Sequence, residues 1–507
     1  MNLSTLYFYL TTILNPKFSI PMRNLPPFLK ILPLVIVGIL LGEVIAIEAW
    51  WVAIIAAVCS TFGYLWRRKS VGEVCIALSI LLWAMCATEL RAPQTLPQPT
   101  HPTEHNITIT SVPYTSGRWQ RCEAQTFIGG RKANLRLYAD SSVMVSLGAK
   151  GSAYGYLNPL PEGSYGELMA RRGFVGTLYL TSPIDWHPLD TLSSPIIAAR
   201  RVQNRLVERV ERLGLEPKEE AVVEAMLLGA RHKITPNLRQ AYSRAGASHI
   251  LAISGLHVGL VAMVVWWLCW LLPIAGRRGH LVRNIIASVV MILYATICGL
   301  SPSVVRATIM FVTAQMALCY GTSRSALNTL CGAVTIMLLA NPNNLYDISF
   351  SLSVVAVIGI LVGYRPMVEF FGGEERGGFF GALLGVVVVG LCSTLATLPL
   401  VAHTFSVVSL VGIFLNPIVI LTAQIIVMGG LIWVSLPLEW LTPLFRWIVG
   451  GAAEVQNRVV EYASGLSWGA IECSVPGWIV AVAYGLMVVG IIVATLWKER
   501  KVWRIKS

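Results

Sequence analysis

Hydrophobic residues follow two regimes along the chain. Up to about residue 90, and again from about residue 250, apolar residues run on for roughly a membrane thickness at a time. Between those limits the pattern is first strand-like and then helical. Runs at 29–47, 49–66 and 71–89 predict a helical hairpin and a third span, because about 20 apolar residues cross the hydrocarbon core as a helix. The second half predicts spans at 250–272, 284–300, 303–320, 326–340, 348–364, 379–400 and 476–496. A further run, 405–436, is interrupted by Asn416-Pro417 and is expected as a broken or re-entrant pair. The expectation is an α-helical polytopic membrane protein of about ten membrane segments, one of them broken.

Residues 90–190 open Pro-rich (Pro93, Pro97, Pro99, Pro102) and then divide into short runs separated by Gly, Asn, Asp and Pro. Strands are expected at 107–112, 119–128, 133–139, 143–157 and 174–180, and Asn134-Leu-Arg-Leu-Tyr138 alternates as a half-buried sheet does. Five short strands suit a small OB-like β-barrel, a fold used for single-stranded nucleic acid. On that fold Tyr138, Tyr154, Tyr156 and Tyr179, with Arg136, are either contacts for bases and phosphates or barrel core and rim. Residues 196–247 switch to helical period. Val202, Leu206, Val210 and Leu213 form one face, Arg201, Arg205 and Arg209 another, and Pro217 and Thr235-Pro236 are helix starts. These helices are expected on the membrane surface or lining an entry funnel.

Composition agrees with the pattern: 55% of 507 residues are hydrophobic, 13% are charged, and the mean hydropathy is +0.66. The net charge of +13 is spread thinly, so it reports topology more than nucleic-acid binding. Arg67-Arg68-Lys69, Arg277-Arg278, Arg324, Arg365 and the tail Lys498–Lys506 are placed in the cytoplasm, which puts the β-domain outside. The chain therefore divides into membrane helices (1–90), an extracytoplasmic β-domain (91–195), amphipathic helices (196–247), a membrane domain (248–497) and a basic cytoplasmic tail (498–507). Residues 5–13 are apolar without a basic segment before them, so no cleavable signal is expected. The ten cysteines include no C-x-x-C; only Cys122 and Cys473 fall in polar stretches, where a disulfide between them is conceivable.

Candidate chemistry concentrates at Ser248-His249 and the helix that follows. On a helical wheel Ser254 and His257 share one face, and Ala252, Gly255 and Gly259 make a small-residue stripe for a neighbouring helix. Ser254 and His257 face a wet path, satisfy local hydrogen bonds, or form a nucleophile–base pair. Arg306, just over one turn into a predicted span, snorkels, faces an aqueous path or pairs with Asp347; Asp347 also reads as a helix cap. No P-loop is present, so ATP hydrolysis through one is excluded. His101-Pro-Thr-Glu-His105 matches a zinc pattern only on paper, because Pro102 sits in a Pro-rich linker, and no metal or cofactor is expected.

Several stretches, in order, resemble the ComEC family of competence proteins: Ala225–Gly229, Leu238–Val258 with its Ser-Gly-Leu-His-Val string, Leu300–Met310, Asn341–Ser353, Ala396–Pro399 and Phe414–Pro417. Ala170–Tyr179 resembles the end of the family's extracytoplasmic OB-like region. The resemblance implies a non-enzymatic inner-membrane channel that passes single-stranded DNA into the cytoplasm during natural transformation. Its path would include Ser248, His249, Ser254, His257, Arg306, Asp347 and Asn416. It also implies a membrane-lipid environment, a DNA receptor and a cytoplasmic helicase-like motor as partners, and possible oligomers. Ser351 departs from the glutamine usual in the family. The chain also stops after its basic tail without a metallo-β-lactamase-like domain, so strand degradation is expected either to fall to another protein or to be absent. An intramembrane hydrolase built on Ser254 and His257, or a secondary transporter of another anion, are the alternatives.

Overall fold

The computed structural model describes residues 27–487 except 46, 92–102, 117, 129–130, 141–142, 144, 181–185, 188–194, 252, 271–275, 321–325, 372–378, 437–438 and 467. The basic tail lies outside the described residues. The chain forms two compact units, one of residues 1–90 with 323–342, the other of 91–322 with 343–507.

In the first unit, helices α1 (Pro27–Val44), α2 (Ala49–Leu65) and α3 (Ser70–Leu90) are apolar nearly all round, as lipid-facing helices are. Glycine brings α1 against α3: a Cβ on Gly38 would stand 2.4 Å from the Leu81 carbonyl oxygen. A helix from far along the sequence, Ala326–Ala340, completes the unit; the Phe28 backbone N–H donates to Asn328 Oδ1 (3.0 Å).

The second unit opens with a barrel. Its strands are β1 (Thr103–Ile109), β2 (Tyr114–Ser116), β3 (Trp119–Ile128), β4 (Arg131–Asp140), β5 (Lys150–Asn158), β6 (Phe174–Leu180) and β7 (Trp186–His187). The sheet runs β1-β3-β4-β6-β5, and β5 pairs back onto β1, which closes a five-stranded barrel; only β4–β6 is parallel. Alternation dictates the two faces. Ile107, Ile109, Cys122, Ala124, Leu135, Leu137, Leu157 and Leu178 fill the interior. The strand expected over 143–157 begins only at Lys150, and the described residues of its first half are loop. Helix α4 (Ser164–Arg171) links β5 to β6.

Helices α5 (Pro195–Glu211), α6 (Pro217–Leu228) and α7 (Pro236–Arg244) follow. Thr235 Oγ1 caps α7 by accepting from Leu238 N–H, with Pro236 in the first turn. α5 and α7 carry one polar and one apolar face, but α6 is buried over all of Ala221–Leu228 and forms the centre of the core rather than a surface helix. The membrane-type helices come next: α8 (Gly255–Trp270), α9 (Gly276–Ile297), α10 (Pro302–Tyr320), α11 (the Ala326–Ala340 helix above), α12 (Ile348–Phe370), α13 (Phe379–Phe405) and α14 (Val411–Ser435). Helical turns over Glu439–Gly450 lead to α15 (Gly451–Ser464), and β8 (Val407–Ser409) pairs with β9 (Ala470–Glu472). Among the described residues six helices are long and apolar enough to cross a membrane, and five shorter ones are apolar.

The break expected at Asn416-Pro417 is not seen, because α14 continues through it. A proline this early in a helix removes one backbone hydrogen bond, and the chain turns before it instead, at Ser406 (φ 52°) and β8. A buried polar network ties α7, α14 and α15. Tyr242 O–H donates to Asn457 Oδ1 (2.8 Å), while Gln456 Nε2 donates to the Tyr242 oxygen (3.0 Å) and Thr422 Oγ1 to Gln456 Oε1 (3.0 Å).

Candidate nucleic-acid path

The outer face of the barrel carries an ordered row that follows from register. Tyr114 on β2 lies opposite Arg121 on β3, and Arg121 opposite Tyr138 on β4. Tyr138 neighbours Tyr179 on β6, which lies opposite Tyr156 on β5. These positions alternate with the interior residues, so all five side chains stand on the same outward face. The Tyr138 and Tyr179 rings stack at 4.9 Å, the Arg121 guanidinium lies 5.4 Å from the Tyr138 centroid, and Trp119 meets Tyr179 edge-on at 5.9 Å. Tyr154 and Tyr156 are each nearly half exposed, at 47% and 46%. The tyrosines are therefore neither core nor loop rim. Arg136, one step along β4, donates to the Tyr165 hydroxyl on α4 and lies over Phe174.

Below the barrel the sequence candidates split into two groups. Ser248 and His249 lie exposed in the turns that precede α8. Gly246 needs φ +74° for that turn, and Ser409, just before α14, and Gly412, in its first turn, pack against it. Ser254 is not on the helix wheel but at its start. Its Oγ accepts from His257 N–H and His257 Nδ1 accepts from Ser254 N–H, both at 3.4 Å. This reciprocal pair has the form of a capping box, with histidine in the place of glutamate. His257 is 1% exposed. Of the small-residue stripe, Gly255 faces Ala307 on α10, whereas Gly259 has no neighbour within 4 Å of a Cβ.

Arg306 is buried and does not snorkel. Its Nη2 donates to Ser303 Oγ (2.9 Å), its guanidinium lies 5.6 Å from the Phe350 ring, and Nε and Nη1 have no partner. Asp347 caps α12 by accepting from Ser349 and Phe350 N–H, and its other oxygen meets Arg172 at 3.4 Å. Arg171 lies over the Tyr346 ring at 3.9 Å. Two consecutive arginines at the end of α4 thus reach the start of α12, a link no sequence pattern announced. Asn416 is buried with Oδ1 unpartnered, beside a void bounded by Gly390 and Thr394 of α13. Cys122, in the barrel core, and exposed Cys473 are both free thiols; burial, then Glu123, pushes Cys122 up to about 12. His105 of the zinc-like string lies on β1 and pairs with Thr103 Oγ1 at 2.7 Å, and His101 lies outside the described residues.

The only cluster of metal-type ligands among the described residues is Glu211, Glu220 and Glu224, and Lys233 occupies its centre. The Lys233 ammonium donates to all three carboxylates at 2.6, 2.6 and 2.7 Å. Burial disfavours the Lys233 ammonium, but the three carboxylates outweigh it and raise its pKa. Glu224, fully buried, is pushed up to about 7 by burial against the pull of Lys233, and its Oε2 has no partner.

A multi-pass helical membrane protein carrying a closed β-barrel with an outward-facing, partly exposed aromatic–arginine row is the class these features define. Residues 226–501 match the profile of the competence protein family, more than half of the chain, and the protein belongs to that family in its ComEC form. It is 27% identical over 207 residues to "ComE operon protein 3" of Bacillus subtilis (strain 168), covering 41% of this chain and 25% of that protein. An uncharacterized protein of Aquifex aeolicus (strain VF5) is 27% identical over 221 residues, 43% of this chain and 48% of that one. The matches thus span less than half the length of either relative. No solved structure matches the chain.

Proposed function

We propose that the protein is an inner-membrane conduit that passes single-stranded DNA into the cytoplasm in natural transformation. The row Tyr114–Arg121–Tyr138–Tyr179–Tyr156 carries the reading, together with membership of the competence family. Stacking on aromatic side chains, at about 1–3 kcal/mol per base, holds single strands without sequence preference. The strand order, with one parallel pair, supports an OB-like barrel. Positive-inside placement of Arg67-Arg68-Lys69 supports a barrel outside the cytoplasm and a cytoplasmic tail.

From the barrel the strand would descend past Arg171 and Arg172 to the turn at Ser248 and His249. Arg306 offers two unpaired N–H groups to passing phosphates, and Asn416 an unpaired carbonyl. Ser254 and His257 act as the cap that fixes the start of α8, and the protein performs no covalent chemistry. About ten membrane segments, a DNA receptor outside and a cytoplasmic helicase-like motor complete the reading. The test is entry of labelled DNA into the cytoplasm of a deletion strain complemented with the parent, with Ser254→Ala or with nothing. Entry that requires the protein and survives Ser254→Ala is the result expected. Entry without the protein overturns the proposal, and loss confined to Ser254→Ala restores the hydrolase reading.

A further inference from the structure

Where β3 and β4 face the helices there is a cleft of about 280 Å³. The barrel supplies Arg121, Arg136 and Tyr114, and the helical side supplies Arg200 from α5 and Arg231 from the loop after α6. Glu123, opposite Arg136 in register, is the one carboxylate in the lining, against four guanidinium groups. Such an excess of like charge is costly unless an anion shares it. Arg231 is open along one side, yet dense packing, followed by the like charges of Arg239 and Arg172, lowers its guanidinium from the ordinary value. Arg121 Nε is enclosed and has no hydrogen-bond partner.

The helical wall is held in place by two contacts. Gly229, at φ +75°, ends α6, and a Cβ there would stand 3.0 Å from the Cys298 carbonyl oxygen. The Arg200 guanidinium packs against Gly299. The cleft therefore backs onto the link between α9 and α10, and α10 carries Arg306 little more than a turn beyond that link.

We infer that this cleft is a nucleotide-binding step, in which guanidinium groups of Arg121, Arg200 and Arg231 hold a phosphate ester and Tyr114 lies against the attached base. Guanidinium forks match phosphate oxygens in pairs, and the volume sits near the roughly 300 Å³ lower end of small-ligand clefts. The inference deepens the single-strand reading above by naming residues on both walls. The phosphate ester belongs either to the passing strand or to a free nucleotide, and the test separates the two.

Binding of a twelve-residue oligothymidylate, of thymidine 5′-monophosphate and of thymidine is measured by calorimetry on the full chain in nanodiscs. The proteins are the parent, Arg121→Gln, Arg231→Gln and Arg121→Lys, with Arg118→Gln outside the cleft as control and thermal unfolding to verify folding. Oligonucleotide affinity should fall roughly tenfold for each Gln variant, the value of one lost charge-assisted contact. Its salt dependence should flatten by about 0.7 in logarithmic slope for each phosphate contact removed. Arg121→Lys should fall between, the monophosphate should compete, and thymidine should not. Oligonucleotide binding that ignores both Gln variants overturns the cleft while leaving the strand reading intact. Monophosphate binding that depends on the arginines, without oligonucleotide binding, keeps the cleft and sinks the strand reading. Failure of both ligands to bind overturns the cleft.

Discussion

Replacing Lys233 with Met removes the one cation from among three carboxylates whose ligand oxygens all lie within 4.8 Å of one another. Glu224 is fully buried, while the Glu220, Lys233 and Glu211 side chains keep 18%, 27% and 44% of their exposure. Breaking a buried ion pair costs about 3–5 kcal/mol because a charge is left unpaired; the partial solvation here puts the loss at the lower end, about 3 kcal/mol. Against a total stability of about 5–15 kcal/mol that is a large fraction, and it falls on the junction of α5 and α6 that supports the cleft.

The loss carries two signatures a simple packing defect lacks. Without the ammonium, buried Glu224 loses the contact that opposes its burial and is held further above its unfolded value. Its protonation then restores stability in acid, and the deficit grows as pH rises. A divalent cation with oxygen ligands at about 2.3–2.6 Å also fits between them, so calcium should stabilise Lys233→Met and leave the parent unmoved. Thermal unfolding of the detergent-solubilised chain from pH 5 to pH 8, with and without calcium, reads both. A deficit of equal size at every pH, with no response to calcium, would refute the reasoning.

In the parent, burial pushes Glu224 from 4.5 to about 7, so its contribution is complete below 4.5 and is lost as pH rises through 7. Glu224→Gln should flatten a decline on the order of 3 kcal/mol across that window in the same unfolding series. Tyr242→Phe orphans Asn457 Oδ1 and leaves Gln456 Nε2 only its weak contact to Met226 Sδ; at about 1–3 kcal/mol for an unsatisfied buried group, the midpoint of unfolding should drop by several degrees. Gly38→Val forces α1 off α3, because its Cβ would clash with the Leu81 carbonyl oxygen. Faster proteolysis of the loop after α1 should report the separation, and unchanged cleavage would contradict the packing.

The barrel was legible because alternation is a local signal. On β3 Arg121, Glu123 and Gln125 alternate with Cys122 and Ala124, and on β4 Asn134, Arg136 and Tyr138 alternate with Leu135 and Leu137. The aromatic row was not, since Tyr114, Arg121, Tyr138, Tyr156 and Tyr179 become neighbours only through register, and β2 is three residues long. Asn416-Pro417 looked like a break because proline breaks helices; nothing local says that the turn falls earlier, at Ser406. A wheel that puts Ser254 and His257 on one face assumes a helix already begun at Ser254, whereas α8 starts at Gly255. The spacing of Ser and His, three apart at a helix start, was the signal for a cap. The docking of Ala326–Ala340 against α1 and the reach of Arg172 to Asp347 are long-range packing that leaves no periodic trace. Arg121 could have been noticed as a guanidinium placed outward between aromatic strand positions; Arg200 and Arg231 could not.

The central claim is that a single DNA strand runs over the outer row of the barrel. Photocrosslinking of a 5-iodouracil-substituted single-stranded oligonucleotide to the full chain in nanodiscs, followed by peptide mapping, tests it most directly. Crosslinks at Tyr156, Tyr138 and Tyr114, suppressed when the oligonucleotide is annealed to its complement, are predicted. Crosslinks confined to other surfaces of the chain, or equal labelling by duplex, would contradict it.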